Sequence, residues 1–124
     1  MNGSQPTPHF SPAELECHCG CHRNNVKPQL IELLERARSI FGGPLVLTSA
    51  SRCPAHELQV SGKSGGAHVD GDAADIYCDS DLDRFRLARI FFELGVNRIG
   101  VAANFIHVDI SDHLPQEVFW MYPS

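Results

Sequence analysis

The run Gly65-Gly66-Ala67-His68-Val69-Asp70-Gly71-Asp72-Ala73-Ala74-Asp75-Ile76, followed further along by Phe105-Ile106-His107-Val108-Asp109, constrains this chain more than any other feature. Gly71, Ala73 and Ala74 suit a chain that turns tightly after His68 and then enters a buried strand carrying Asp75, while His107 arrives on a different strand. Two neutral imidazoles and one carboxylate are the ligand set of a catalytic zinc rather than a structural one, because three protein ligands leave a fourth tetrahedral position for water. That open position points toward hydrolysis. The competing reading is plainer: with 7 histidines in 124 residues, some His/Asp neighbours arise by accident, and a histidine in an apolar strand is commonly a packed, hydrogen-bonded core residue.

The neighbourhood favours the metal. Thr48-Ser49-Ala50-Ser51-Arg52-Cys53-Pro54 lies just upstream, with an arginine after an apolar strand, and Phe119-Trp120-Met121-Tyr122 lies near the end. In order and spacing, from about Phe10 to Tyr122, these pieces resemble the zinc D-alanyl-D-alanine carboxypeptidases, the M15 peptidases, and especially their small single-domain members. The family pattern of a Ser-Gly-Tyr-Arg-like segment, Ser-x-His-x-x-Gly-x-Ala-x-Asp, His-Val-Asp and a terminal Trp is met by Ser49-Ala50-Ser51-Arg52, by Gly66 through Asp75, by His107-Val108-Asp109 and by Trp120. The resemblance implies that His68, Asp75 and His107 bind zinc and that Arg52 reaches toward a substrate carboxylate or carbonyl, a task suited to a permanently charged donor fork. An ordinary surface ion pair is the alternative for Arg52. Trp120 is either core packing on an edge strand or, as the resemblance implies, a wall of the substrate pocket.

The departures from the pattern bear on catalysis. Gly66 stands where the family has serine, and Ala50-Ser51 replace Gly-Tyr. Relatives place a catalytic Glu or Asp three residues before the last histidine, and here that position is Asn104, whose amide cannot take a proton from water near neutral pH. Asp109 is the nearest substitute: two residues along the strand from His107, it faces the same way, as a base or as an acceptor that orients a ligand. Glu57, Asp70 and Asp72 are weaker candidates.

A chain of this length buries enough surface for one core. A net charge of −5, with 10 Lys+Arg scattered rather than clustered, argues against a nucleic-acid footprint. No apolar stretch reaches the ~20 residues of a membrane span, and Met1-Asn2-Gly3-Ser4-Gln5-Pro6 lacks the marks of a secretory signal. The expectation is a monomer made in the cytoplasm, without nucleic-acid or membrane partners, that reaches the cell wall as a phage lysin does or by export. Five cysteines leave at least one thiol unpaired in a monomer. Cys17-x-Cys19-x-Cys21 on a strand-like segment would point to alternate faces, an awkward frame for one tetrahedral site. This leaves a bridge to Cys53 or Cys78, or reduced cysteines packed as small hydrophobes, the choice a reducing cytosol favours.

The first ten residues read as a tail and 11–124 as one domain. Ser11-Pro12-Ala13-Glu14 is a capped helix start. Residues 28–41 carry an apolar stripe of Leu30, Ile31, Leu33, Leu34, Ala37, Ile40 and Phe41, stopped by Gly42-Gly43. Strands are expected at 45–48, 73–77, 98–101, 105–110 and 118–122, a helical turn at 56–60, a glycine-serine loop at 61–66 and a second amphipathic helix at 82–94. The count predicts an α+β domain, an antiparallel sheet covered by two to three helices, and the resemblance implies the hedgehog/DD-peptidase-like version of it. The resemblance further implies a zinc metallopeptidase acting on peptidoglycan stem peptides, as a carboxypeptidase or short endopeptidase. The alternative is a catalytically silent zinc-containing module that binds cell-wall peptides or a protein partner.

Overall fold

The computed structural model describes residues 8–123; residues 1–7 of the expected tail lie outside them. Residues 9 and 10 are tied to the domain, since Phe10 is buried in the core and the His9 amide and ring both bond the Glu35 carboxylate, at 2.8 and 2.7 Å. Helix α1, Pro12–Leu15, begins with a complete capping box between Ser11 and Glu14. Helix α2 spans Pro28–Phe41, opening on its proline and ending at Gly42 in the left-handed conformation (φ 79°). Its Leu30, Ile31, Leu33, Leu34 and Ala37 are buried, while Ile40 lies beyond the edge of the stripe and is exposed. Strand β1 is Leu47–Ser49, α3 Pro54–Ser61, β2 Ala73–Tyr77, α4 Asp81–Glu93, β3 Arg98–Val101, β4 Phe105–Asp109 and β5 Val118–Met121. The helical turn expected at 56–60 is thus the middle of a two-turn helix that starts at Pro54.

The strands form one sheet in the order β1-β2-β4-β3-β5. Three pairings are antiparallel, but β3 and β5 run parallel. The reason is the connection 110–117, which carries the chain past β3 to its free edge instead of turning back beside β4. Strand alternation separates the two faces. Ala74 and Ile76 of β2, Ile106 and Val108 of β4 and Ile99 of β3 join Leu30, Leu34, Leu87, Ile90 and Phe91 in a single apolar cluster, so α2 and α4 cover that face. The opposite face receives Asp75, His107 and Asp109, buried although polar.

Among the described residues no helix is long and apolar enough to cross a membrane.

The turn before β2 depends on Gly71. Its φ is +81°, and a Cβ there would collide with the Asn25 carbonyl, whose neighbour Lys27 donates its amide to Gly71 O at 3.0 Å. Left-handed strain and backbone overlap together make Gly71→Ala cost roughly 2–5 kcal/mol. Gly43→Ala, with only ordinary contacts to the Phe41 ring at 3.8 Å, is the control and should stay within about 0.5 kcal/mol. Urea unfolding midpoints of the two variants check the difference.

Candidate metal centre

A single row of register partners crosses the sheet: Ser49 opposite Asp75, Asp75 opposite His107, His107 opposite Gly100, and Gly100 opposite Trp120. Residues paired across strands project to the same face, so the row sets a carboxylate, an imidazole and an indole side by side. His68 joins them from the turn 66–72, which is closed by bonds from the Asp70 amide to Gly66 O and the Asp72 amide to Ala67 O. The sequence candidates His68, Asp75 and His107 therefore do meet, within 4.8 Å of one another and all buried.

The hydrogen bonds select one tautomer for each ring when it is neutral. His68 Nδ1 lies 2.7 Å from the Ala50 carbonyl, which can only accept, so in the neutral ring Nε2 keeps its lone pair, 3.3 Å from Asp75 Oδ1. His107 Nε2 lies 2.7 Å from Asp109 Oδ2, leaving Nδ1 aimed at the same Asp75 oxygen at 2.9 Å. Two imidazole lone pairs and one carboxylate oxygen thus converge on one point, an arrangement that requires a positive charge between them. A proton meets part of that need: burial lowers the His107 pKa, but Asp109 and Asp75 outweigh it and the net shift is upward. For Asp75 burial raises the pKa, and His107 and His68 overcome it to hold the carboxyl well below the usual range. A metal ion satisfies all three donors at once. The donor set fits zinc, with each histidine's other nitrogen held by a carbonyl or carboxylate.

The supporting side chains are as ordered as the donors. Asp109 has both oxygens engaged, Oδ1 by Arg98 Nε at 2.6 Å and the Ser111 amide at 3.1 Å, Oδ2 by His107. Burial pushes its pKa up, yet His107 and Arg98 leave it lowered. Arg52 is 11% exposed and not a surface ion pair: its Nε donates to Ser49 Oγ at 2.9 Å, one terminal nitrogen to Glu57 Oε1 at 2.8 Å and the other to Asp75 Oδ2 at 3.1 Å. Holding Oδ2, Arg52 turns Oδ1 toward the histidines. Glu57 is filled from both sides, its Oε2 accepting from Ser61 Oγ at 2.6 Å.

Trp120 stacks against His107 with ring centroids 5.3 Å apart, and Tyr122 lies 6.3 Å from the same ring. Gly100 makes this possible, because a Cβ there would collide with the Trp120 indole and the Tyr122 ring. Asn104 is exposed in the turn between β3 and β4, away from the row, where its carbonyl accepts from the Cys78 amide at 3.1 Å. Asp72 pairs with Lys27 at 2.6 Å and Asp70 with His113 at 3.2 Å, so neither faces the three donors. Arg98 and Gly100 were not foreseen; their parts depend on which strands pair, and no local motif announces that.

The cysteines also depart from expectation. Cys17 and Cys78 are buried, but Cys19 and Cys21 are exposed and Cys53 half-buried, so packing as small hydrophobes describes only the first two. All five are free thiols.

A family model described as Peptidase M15 matches residues 8–109, which takes in His68, Asp75, His107 and Arg52. Among curated proteins none matches the chain.

Proposed function

The chain belongs to the peptidase M15 family, and from that premise we propose that it is a zinc metallopeptidase hydrolysing peptidoglycan stem peptides, of the D-Ala-D-Ala carboxypeptidase or short endopeptidase type. The observation that carries the reading is the convergence of His68 Nε2 and His107 Nδ1 on Asp75 Oδ1. His68, Asp75 and His107 would hold the zinc, which when bound supplies Lewis acidity toward a scissile carbonyl and acidifies water. Asp109 holds the His107 ring and its tautomer, and Arg52 presents Asp75 by one oxygen. Trp120 and Tyr122 wall the site at the β5 edge, where a short peptide would lie.

The role given to Asp109 in this scheme is positioning, because both its oxygens are already bonded within the protein. Asp109→Asn should therefore lower zinc affinity or activity ~10–100-fold, measured by competition with a chromogenic chelator. Unchanged affinity and turnover would remove Asp109 from the site.

A second reading, a module that binds stem peptides without cleaving them, draws on the same side chains. Asn104 stands exposed where relatives carry the catalytic acid, and Glu57 and Asp109 each have both carboxylate oxygens occupied. Mass spectrometry of muropeptides after incubation with zinc-loaded protein separates the two. Shortened stem peptides, absent with His68→Ala, support the peptidase. Intact muropeptides together with calorimetric binding support the module.

A further inference from the structure

Cys17, Cys19 and Cys21 lie between α1 and α2, and Cys53 immediately precedes α3, yet their four Sγ atoms lie within 4.8 Å of one another. The residues after Cys17 form a turn at 18–21 rather than a strand, and Gly20 (φ 96°) within it and His22 (φ 65°) just after it take left-handed conformations. That geometry defeats the alternation which would send neighbouring cysteines to opposite faces. We propose that Cys17, Cys19, Cys21 and Cys53 form a structural zinc site, separate from the His68, Asp75 and His107 centre.

The spacing fits a tetrahedron of sulfurs. With Zn–S bonds of about 2.3 Å, its edges are about 3.8 Å; Cys17 Sγ lies 3.5 Å from Cys19 Sγ, which lies 3.6 Å from Cys53 Sγ. Four thiolates leave no open position, the mark of a structural site, and soft sulfur ligands select zinc over hard cations. Backbone amides point at three of the sulfurs: Cys53 N to Cys17 Sγ at 3.4 Å, His56 N to Cys53 Sγ at 3.4 Å and Arg23 N to Cys21 Sγ at 3.5 Å. Donors so placed favour the anionic thiolate. His56 Nδ1 lies 3.3 Å from Cys17 Sγ and is not one of the atoms that gather within 4.8 Å of one another.

Such a site would tie two distant pieces of chain together at a place that matters. Cys53 follows Arg52 directly, and the same stretch is bound to the N-terminal segment by Ser51 N to Leu15 O at 3.0 Å and Ser51 Oγ to Asn25 Oδ1 at 2.8 Å. Zinc on the four cysteines would clamp the strand end from which Arg52 reaches Asp75.

The test is the metal content of the full chain, purified under reducing conditions, by inductively coupled plasma mass spectrometry. Two zinc equivalents are expected in the unmodified protein and one in His68→Ala. Titrating His68→Ala with a mercurial should release that remaining equivalent as the thiols are capped. Cobalt substitution gives a readout that needs no variant: the unmodified chain should show a sulfur-to-cobalt charge-transfer band and tetrahedral ligand-field bands. Cys19→Ser together with Cys53→Ser should lose both the band and one equivalent. The proposal is overturned if cobalt protein shows no thiolate band, if the cysteine variant keeps the full zinc content, or if the intact mass is short by the hydrogens of disulfide formation. Failure of the histidine centre reads differently, as a single equivalent in the unmodified protein that His68→Ala does not reduce.

Discussion

On the zinc-peptidase reading proposed above, His68→Ala is expected to abolish hydrolysis of stem peptides, by more than roughly 10³-fold, because the variant would lose the zinc that supplies water activation and carbonyl polarisation together. His68 is the one donor of the three supplied by a turn rather than by the sheet, and its Nδ1 bond to Ala50 O at 2.7 Å is what aims it. An alanine leaves Asp75 and His107 in register but only two donors, too few to retain zinc against a chelator. The variant should lose one equivalent of zinc while the four cysteines keep theirs. Full metal content with intact turnover would show that the three residues are merely a hydrogen-bonded core cluster.

Replacing Arg52 should produce the largest loss of stability. Its guanidinium sits between two nearly buried carboxylates, Glu57 and Asp75, whose side chains are 9% and 7% exposed. Breaking a buried pair by removing one partner costs about 3–5 kcal/mol, since the remaining charge is stranded. Arg52→Met is therefore expected to lower Tm on the order of 10 °C and to weaken zinc binding through a mispresented Asp75. Arg52→Lys keeps the charge but not the fork, and should recover only part of the loss. Adding Glu57→Leu to Arg52→Met should restore part of the stability without restoring zinc affinity, because it removes one stranded carboxylate but leaves Asp75 unheld. If Arg52→Met melts with the parent, the buried network contributes nothing and Arg52 is free for another role.

How far the sequence discloses this molecule depends on the distance over which each feature is encoded. Helix α2 was legible to the residue because proline, stripe and glycine stop are all local, and β2 and β3 were legible from their apolar runs. That His68, Asp75 and His107 meet was legible because side chains able to hold a metal are few in kind and the intervening Gly71 has a conformational reason to be there. The parallel β3–β5 pair was not legible, since a strand's pattern does not name its neighbour. For the same reason Gly100 and Arg98 carried no signal: each acquires its part only when β4 lies alongside. The cysteine cluster was misjudged through one assumption, that 17–21 is extended; a glycine and a histidine with positive φ fold it back instead. Asn104 was legible as a departure but not as a place, and its exposure in the β3–β4 turn is a tertiary fact.

The row from Ser49 to Trp120 divides the chain into parts that can and cannot drift. An insertion or deletion of one residue inside β2 or β4 would turn Asp75 or His107 over to the helix-covered face, so the strands are closed to changes of length. The exposed stretches 62–65 and 112–113 carry no residue of the row and are free to lengthen or be exchanged. New substrate preferences would therefore arise by exchanging loops around the row while His68, Asp75 and His107 stay in place. In a combinatorial library, variants diversified only in those two segments should retain zinc far more often than variants diversified in the strands.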